Sequence, residues 1–462
     1  MGKLFSNIGT MLVVFLIAGM FYTNVAMGQT DYGGNDPQWT FLFYLAADND
    51  QEAYADATIA KLKDGTAQVS NHPQILVMID RLSEPGTEIF EISEGEIILP
   101  QSSLEQNSAD GSVLQTFATN ALNLADHENV AFVMKSEGLS WRGIGRDNTH
   151  DTGTDDQLMS TGELAEALIA AKDATGKELD LLVLEGSIMA FIEVVYELRD
   201  VSPILLASQS KIQPAGLPWE MVIKDLGEVP EMNSKELGIA ITNDHLEYYS
   251  DKGNNGVPGF DTSINFAAMT VFNLSYIYDV LDAHKSWAAT TWPLFDDLYN
   301  ILPHARDLSE VGGFGEITEF DYQFDIKTFM LESLRLIDEA ALSFPKLNAA
   351  VTAYLAAQDE LLVYEKSPAD GSKLRATTGL SIWYPPTWNK YETRDESDEV
   401  FGSTMYYADP EIGLDWVIDS NWVTYLFEYF DRADAKLAGN GPVGDEPPKK
   451  GVFRKIDSVN QD

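Results

Sequence analysis

The sequence predicts an α/β fold: an α/β/α sandwich with a mostly parallel central sheet, followed by a largely helical C-terminal part. Hydrophobic runs of strand length alternate with segments of helical apolar spacing. These runs are continuously apolar, as in strands that are buried on both faces. A chain of 462 residues with 45% apolar residues can bury a large core. In sheets of this kind, ligands bind at the carboxyl ends of the parallel strands.

The first 38 residues are predicted to precede the folded domain. Lys3, the apolar run 11–21 and the small residue Gly28 are typical of a signal peptide that spans residues 1–28. The apolar run is short for a membrane span, which leaves an uncleaved anchor as the alternative. Residues 29–38 are predicted to be a polar linker. We therefore expect an exported protein, periplasmic or extracellular, with no stable membrane span after cleavage.

Residues 39–263 are predicted to form the domain that contains the sheet. Five buried strands are expected, at residues 39–48, 73–80, 129–138, 179–187 and 202–210, with a hairpin at 86–92 and 95–100. Helices are expected at residues 51–62, 112–125 and 188–200, from residue 160 onward, and within 213–226. Ser160 and Glu163 have the spacing of a capping box, which marks the start of one helix.

Residues 264–437 are predicted to be a helical C-terminal region. Its long helices are expected at residues 273–302 and 345–361, and a closing helix within 415–433. One late strand is expected at residues 378–386, where it could rejoin the main sheet. The tail, residues 438–462, is polar and rich in glycine and proline, which is typical of a disordered segment.

Charge and cysteine content narrow the possible functions. The chain has 73 acidic and 30 basic residues, a formal net charge of −43. Such a surface repels phosphate backbones and disfavours nucleic-acid binding, although a high charge also simply keeps a protein soluble. The chain has no cysteine, which excludes disulfides, thiolate metal sites and a cysteine nucleophile. Oligomeric state is not predicted by any of these features.

Six segments together resemble a known family. They are WTFLFYLAADNDQE, ILVMIDR, VMKSEGLSW, LVLEGSIMAFIEVVYELRD, ASQSKIQPAGLPW and GLSIWYP, which follow one another in this order. The series is similar to the clostripain-type cysteine peptidases of the caspase-like clan, over about residues 39 to 430. The resemblance implies a caspase-like fold for this chain.

The same resemblance assigns positions in the site. Glu137 stands where the family has its catalytic histidine, and Ser187 stands where the family has its catalytic cysteine. Glu185 takes the place of an aspartate that helps to bind a basic side chain before the cleaved bond. Gly138 is expected to contribute to an oxyanion-binding turn, and Gln209 replaces a glutamate of the substrate site. The resemblance thus implies a divergent member that lacks the catalytic pair.

Ser187 with Glu137 is a weak substitute for that pair. A serine hydroxyl needs a well-placed base, and a carboxylate of ordinary pKa is a poor one. Glu185 and Met189 stand where a serine-hydrolase elbow has glycines. We therefore expect Ser187 to be a small residue at a strand-to-helix turn that caps the following helix. His150, in the loop 146–157, is the one histidine that could swing toward the site.

A calcium site is a further hypothesis. The acidic loop supplies Asp147, Asp151, Asp155 and Asp156, and calcium prefers several oxygen ligands. Some clostripain-like enzymes use calcium, which supports this hypothesis, but the pattern favours a flexible acidic loop without a metal. No cofactor is required by the family chemistry.

Three functions are compatible with the sequence. The first is an exported, catalytically inactive peptidase homologue that binds peptide or protein. The second is an active endopeptidase that cleaves after basic residues with Ser187 as an unusual nucleophile. The third is a structural or partner-binding surface protein. Loss of both catalytic positions favours the first.

Overall fold

A computed structural model describes residues 38–83, 86–102, 105–149, 158–249, 267–311, 322–367, 377–385, 407 and 414–437. The predicted signal peptide, all but the last residue of the predicted linker, and the predicted disordered tail lie outside these residues. No helix in the described ranges is long and apolar enough to cross a membrane.

The strands and helices have the following bounds. The strands are β1 (Trp39–Ala47), β2 (Gln74–Arg81), β3 (Thr87–Ser93), β4 (Glu96–Ser102), β5 (Asn129–Lys135), β6 (Leu181–Glu185), β7 (Ile204–Ala207), β8 (Met269–Asn273), β9 (Gln323–Asp325), β10 (Leu362–Lys366) and β11 (Ser381–Trp383). The helices are α1 (Glu52–Gln68), α2 (Gly111–Leu124), α3 (Thr161–Thr175), α4 (Ile192–Glu197), α5 (Trp219–Glu228), α6 (Ser234–Tyr248), α7 (Ile277–Thr291), α8 (Phe295–Leu298), α9 (Leu302–Leu308), α10 (Ile326–Glu339), α11 (Pro345–Leu361), α12 (Asp415–Asp419) and α13 (Trp422–Leu437).

The central sheet has nine strands in the order β10-β8-β7-β6-β5-β1-β2-β3-β4. The five middle strands, β7, β6, β5, β1 and β2, are parallel. The hairpin β3–β4 and the strands β8 and β10 extend the two edges in antiparallel orientation. The five predicted buried strands and the hairpin are confirmed, as is the mostly parallel sheet.

Helices cover both faces of the sheet, and each face has its own core. Successive strand residues point to opposite faces. In β5, Ala131 and Val133 belong to the core under α1, α5 and α6, whereas Phe132 and Met134 belong to the larger core under the other helices. The predicted α/β/α sandwich is therefore confirmed.

The C-terminal half contains more strands than predicted. The sequence predicted one strand after residue 264, but β8 and β10 complete the central sheet from this half. The late strand is shorter than expected, as β11, and does not rejoin the main sheet. It pairs with β9 in a separate two-stranded sheet.

Prolines divide the long helix that was expected at residues 273–302. The helix α7 ends at Thr291, a 3₁₀ turn follows at Trp292–Leu294, and α9 begins at Leu302. Pro293 and Pro303 each lie in the first turn of a new helix, where a missing N–H costs nothing. The predicted capping box is present at the start of α3: the Ser160 hydroxyl accepts from the Glu163 amide, and the Glu163 carboxylate accepts from the Ser160 amide.

Candidate functional site

The turns that follow β5 and β6 lie side by side. Lys135 and Glu185 end these neighbouring parallel strands and are direct register partners. Beyond them, a Cβ added to Gly138 would lie 2.3 Å from the Ser187 carbonyl oxygen and 2.8 Å from its nitrogen. Only glycine fits at position 138, because the two backbones touch there. The structure thus places Glu137 and Ser187 on adjacent turns.

Ser187 accepts a hydrogen bond and does not cap a helix. Its Oγ accepts from the Ile212 amide, 3.2 Å away. The next residue, Ile188, has a left-handed backbone with a φ of 52° and donates its amide to the Ser210 carbonyl. The expected helix 188–200 begins only at α4, with Phe191 as its N-cap residue. The capping role predicted for Ser187 is therefore wrong. The turn at Ser187 and Ile188 instead bonds to the segment after β7, at Ser210 and Ile212.

Glu137 lies half-buried near Ser187 without bonding to it. Burial raises the pKa of the Glu137 carboxyl above its ordinary value and Asp50 raises it further, whereas Arg146 and Lys211 lower it. Among the described residues, the hydroxyl of Ser187 has no hydrogen bond to this carboxylate. His150 lies outside the described residues.

Glu137 and Ser187 open into a pocket of about 200 Å³. The residues that line it are Gln51, Lys135, Ser136, Glu137, Glu185, Gly186, Ser187, Lys211, Ile212, Gln213 and Pro214. No histidine belongs to this set of described residues. Among these lining residues the pocket therefore offers carboxylates, lysines, amides and the hydroxyls of Ser136 and Ser187, but no imidazole to transfer a proton.

Glu185 is fully engaged at the base of the pocket. Its Oε1 accepts from the Lys135 Nζ at 2.6 Å and from the Leu217 amide at 3.1 Å. Its Oε2 accepts from the Trp219 Nε1 at 2.9 Å. Glu185 and Lys135 are 2% and 6% exposed. This ion pair was not predicted from the sequence, although opposite charges at the ends of two apolar strands were a visible signal.

Gln209 does not line the pocket. Its Nε2 donates to Asp325 and Ser381, at 2.9 and 2.8 Å, and its Oε1 accepts from the Gly379 amide. The side chain is 1% exposed. The substrate-binding role predicted for Gln209 is therefore corrected: its amide joins the end of β7 to the small β9–β11 sheet.

Asp147 belongs to a cluster of four carboxylates with Asp48, Asp80 and Glu105. One oxygen from each lies within 4.8 Å of the others, and three of the four residues are buried. Burial, followed by the charge of Glu105, raises the pKa of Asp80 to about 8. The Oδ1 of Asp48 and the Oδ2 of Asp80 have no hydrogen-bond partner among the described residues.

This cluster differs from the set of ligands that the sequence analysis named. Asp151, Asp155 and Asp156 lie outside the described residues. Asp147 faces carboxylates from the ends of β1 and β2, which the loop pattern alone did not connect with it. The structure thus joins one predicted ligand to three residues that were not predicted as ligands.

Comparisons with known proteins agree with this architecture. No curated protein matches this sequence. A secreted C11 cysteine protease from Bacteroides thetaiotaomicron, in complex with an irreversible peptide inhibitor, has a TM-score of 0.59 and 18% identity, over 83% of this chain and 99% of that chain. An inactive zymogen C11 protease from Parabacteroides distasonis has a TM-score of 0.53 and 16% identity, over 84% and 99%. These structures show the same fold. The sequence profile of the clostripain family matches residues 43–423, and the chain therefore belongs to the clostripain family.

Proposed function

We propose that this protein is an exported clostripain homologue that binds peptide or protein in the pocket at Glu137 and Ser187 without cutting it. One observation carries the proposal. The Ser187 hydroxyl accepts a hydrogen bond from the Ile212 amide. Among the described residues, this hydroxyl donates no hydrogen bond to an imidazole or a carboxylate. A serine nucleophile needs such a base.

Export is proposed from the signal peptide predicted at residues 1–28. Mass spectrometry of the protein recovered from the medium or periplasm should give a mature chain that begins at Gln29. A chain that retains Met1 in the membrane fraction would contradict cleavage.

Peptide turnover tests the proposal. The mature protein is incubated with fluorogenic peptide libraries, and no release above the buffer rate is expected. Ser187→Ala and Glu137→Gln are the matched variants, and both should leave this background unchanged. Turnover by the native protein that Ser187→Ala abolishes would refute the inactive assignment.

A serine endopeptidase is the second candidate, and the raised pKa of Glu137 favours it. A carboxylate with a raised pKa is a better general base near neutral pH than an ordinary one. Treatment with a serine-directed phosphonate followed by intact-mass measurement separates the two candidates. An adduct that Ser187→Ala prevents supports the endopeptidase, and an unmodified mass supports the inactive homologue.

A calcium ion bound by Asp48, Asp80, Glu105 and Asp147 is proposed in addition. The donor set fits, because calcium takes six to eight oxygen ligands and two buried carboxylate oxygens here have no other partner. Calcium would supply the positive charge that this group of carboxylates lacks.

Thermal unfolding with calcium tests this site. Calcium at about 100 times its Kd should stabilise the protein by about 2.7 kcal/mol, and Asp147→Asn should remove most of that gain. Asp173→Asn is the matched control, because Asp173 is an exposed carboxylate in the last turn of α3. Equal calcium responses in both variants would refute the site.

A further inference from the structure

We propose that Lys135 occupies the place where a bound peptide would otherwise put a cationic side chain against Glu185, so that the pocket accepts an uncharged, hydrogen-bond-accepting side chain. The inference rests on the proposal that the pocket binds peptide, and it names the kind of peptide. It also contradicts the expectation that Glu185 attracts a basic side chain.

The ion pair is built into the sheet. Lys135 and Glu185 are register partners on adjacent parallel strands, so their side chains extend from the same face. Both side chains are almost fully buried, 7% and 0% exposed. The Lys135 Nζ lies 2.6 Å from the Glu185 Oε1. The charge of the carboxylate is therefore already neutralised, and an incoming cation would gain little by approaching it.

The covering loop leaves no room for a second cation. A Cβ on Gly216 would lie 2.0 Å from the Glu185 Oε1 and 2.6 Å from the Lys135 Nζ, so the loop backbone rests on the pair. Lys61 also holds this loop by donating to the carbonyls of Ala215 and Leu217, at 2.5 and 3.0 Å. Tyr249 donates to the Gly216 carbonyl. A basic side chain could reach Glu185 only if the loop moved or Lys135 withdrew.

Two groups that line the pocket have hydrogen-bond donors left over. The Gln213 Nε2 is buried and has no partner among the described residues. Lys135 carries three N–H groups, and its only hydrogen bond among the described residues goes to Glu185. At the rim, Glu137 and Lys211 have opposite charges. These donors lie among charges that balance in pairs. They therefore favour an uncharged hydrogen-bond acceptor, such as the carboxamide of a glutamine side chain.

Chemical rescue tests the position of Lys135 independently of any peptide. Lys135→Ala removes the atoms that propylammonium would replace. Propylammonium should raise the melting temperature of Lys135→Ala, while 1-propanol should not, and the native protein should respond to neither. The double variant Lys135→Ala with Glu185→Gln should lose the rescue, because the carboxylate is gone. A response of the native protein equal to that of Lys135→Ala would overturn the proposal.

Peptide pools test the specificity on the native protein, which also covers the case that Lys135→Ala does not fold. Pools with one position fixed as Gln, norleucine, Arg, Lys or Glu are compared by fluorescence polarisation. The Gln pool is expected to bind best, and Lys135→Met should shift the preference toward Arg by at least about tenfold. A native preference for Arg or Lys would refute the inference. No binding by any pool, together with rescue by propylammonium, would refute peptide binding but leave the role of Lys135 intact.

Discussion

The hydroxyl of Ser187 stabilises the fold by accepting the Ile212 amide. The amide belongs to a buried residue, 9% exposed, so it has no easy access to water as a substitute. The hydroxyl therefore has a structural role that does not depend on any reaction. This role explains why a polar side chain suits the position even without catalysis.

We expect Ser187→Ala to lower the free energy of unfolding by about 1–3 kcal/mol, because it leaves the Ile212 amide without an acceptor. The measurement is a shift of the urea midpoint at constant slope. Ser286→Ala, at an exposed position of α7, is the control and should change little. A Ser187→Ala protein as stable as the native one would show that the hydrogen bond contributes nothing.

The carboxylate of Asp80 makes stability depend on pH. Its pKa is raised to about 8, mainly by burial, so between about pH 4 and pH 8 the folded protein holds a proton that the unfolded chain has released. Stability from this proton is complete below about pH 4 and is lost as pH rises toward 8. Without calcium, the loss should be up to about 1.4 kcal/mol per pH unit.

Chemical unfolding between pH 5 and pH 8, in chelator, measures this effect. Asp80→Asn has no proton to lose, so its stability should fall less steeply than that of the native protein over the same interval. Calcium should flatten the native curve as well. If the native protein and Asp80→Asn have parallel curves, the Asp80 proton is not the cause.

At the scale of elements, the loop between β7 and α5 controls the base of the pocket. Gly216 has a φ of 70° and lies against the Lys135–Glu185 pair, while Gly176, at the end of α3, has a φ of 68° and open space around it. The two glycines share a backbone conformation and differ in their surroundings. They therefore separate backbone strain from steric contact.

Gly176→Ala should lower the free energy of unfolding by about 1–2 kcal/mol, since alanine is strained in the left-handed region. Gly216→Ala should lower the free energy of unfolding by about 1–3 kcal/mol more than Gly176→Ala does, since its methyl group also collides with the Glu185 carboxylate. Thermal and urea unfolding of both variants give the difference. Equal losses would mean that the loop can lift from the ion pair without cost.

The elements that sequence could predict are those with an uninterrupted apolar run. The middle strands β1, β2, β5, β6 and β7 were recognisable for this reason. The strand β10 was missed because it follows α11 directly, with no glycine or proline between them, and periodicity does not separate a short apolar strand from the end of a helix.

Part of the candidate site was also predictable from the sequence, and part required the order of the strands. The meeting of the turns at Glu137 and Ser187 followed from the rule that active sites lie at the ends of parallel strands. The Lys135–Glu185 pair required knowledge that β5 and β6 are neighbours. The carboxylate cluster required the same for β1 and β2, together with Glu105, which no strand pattern marks.

At the scale of the whole molecule, the net charge of −43 opposes the compact state. Raising NaCl from about 10 to about 150 mM shortens the Debye length from about 30 to about 8 Å. The melting temperature should therefore rise, and calcium-chelated protein is used so that site binding does not contribute. A melting temperature that is independent of salt would mean that the charges are already balanced locally.

The strand order has a consequence for synthesis. The strand β7 gains its second neighbour only from β8, which follows it by about sixty residues. A nascent chain that stops at residue 249 therefore presents the apolar edge of β7 to the solvent, and exposed edges recruit strands of other chains. We expect a fragment of residues 37–249 to aggregate, in light scattering, where residues 37–437 stay dispersed. This protein can thus fold without aggregating only if β8 is synthesised and pairs with β7 before the exposed edge of β7 contacts another chain.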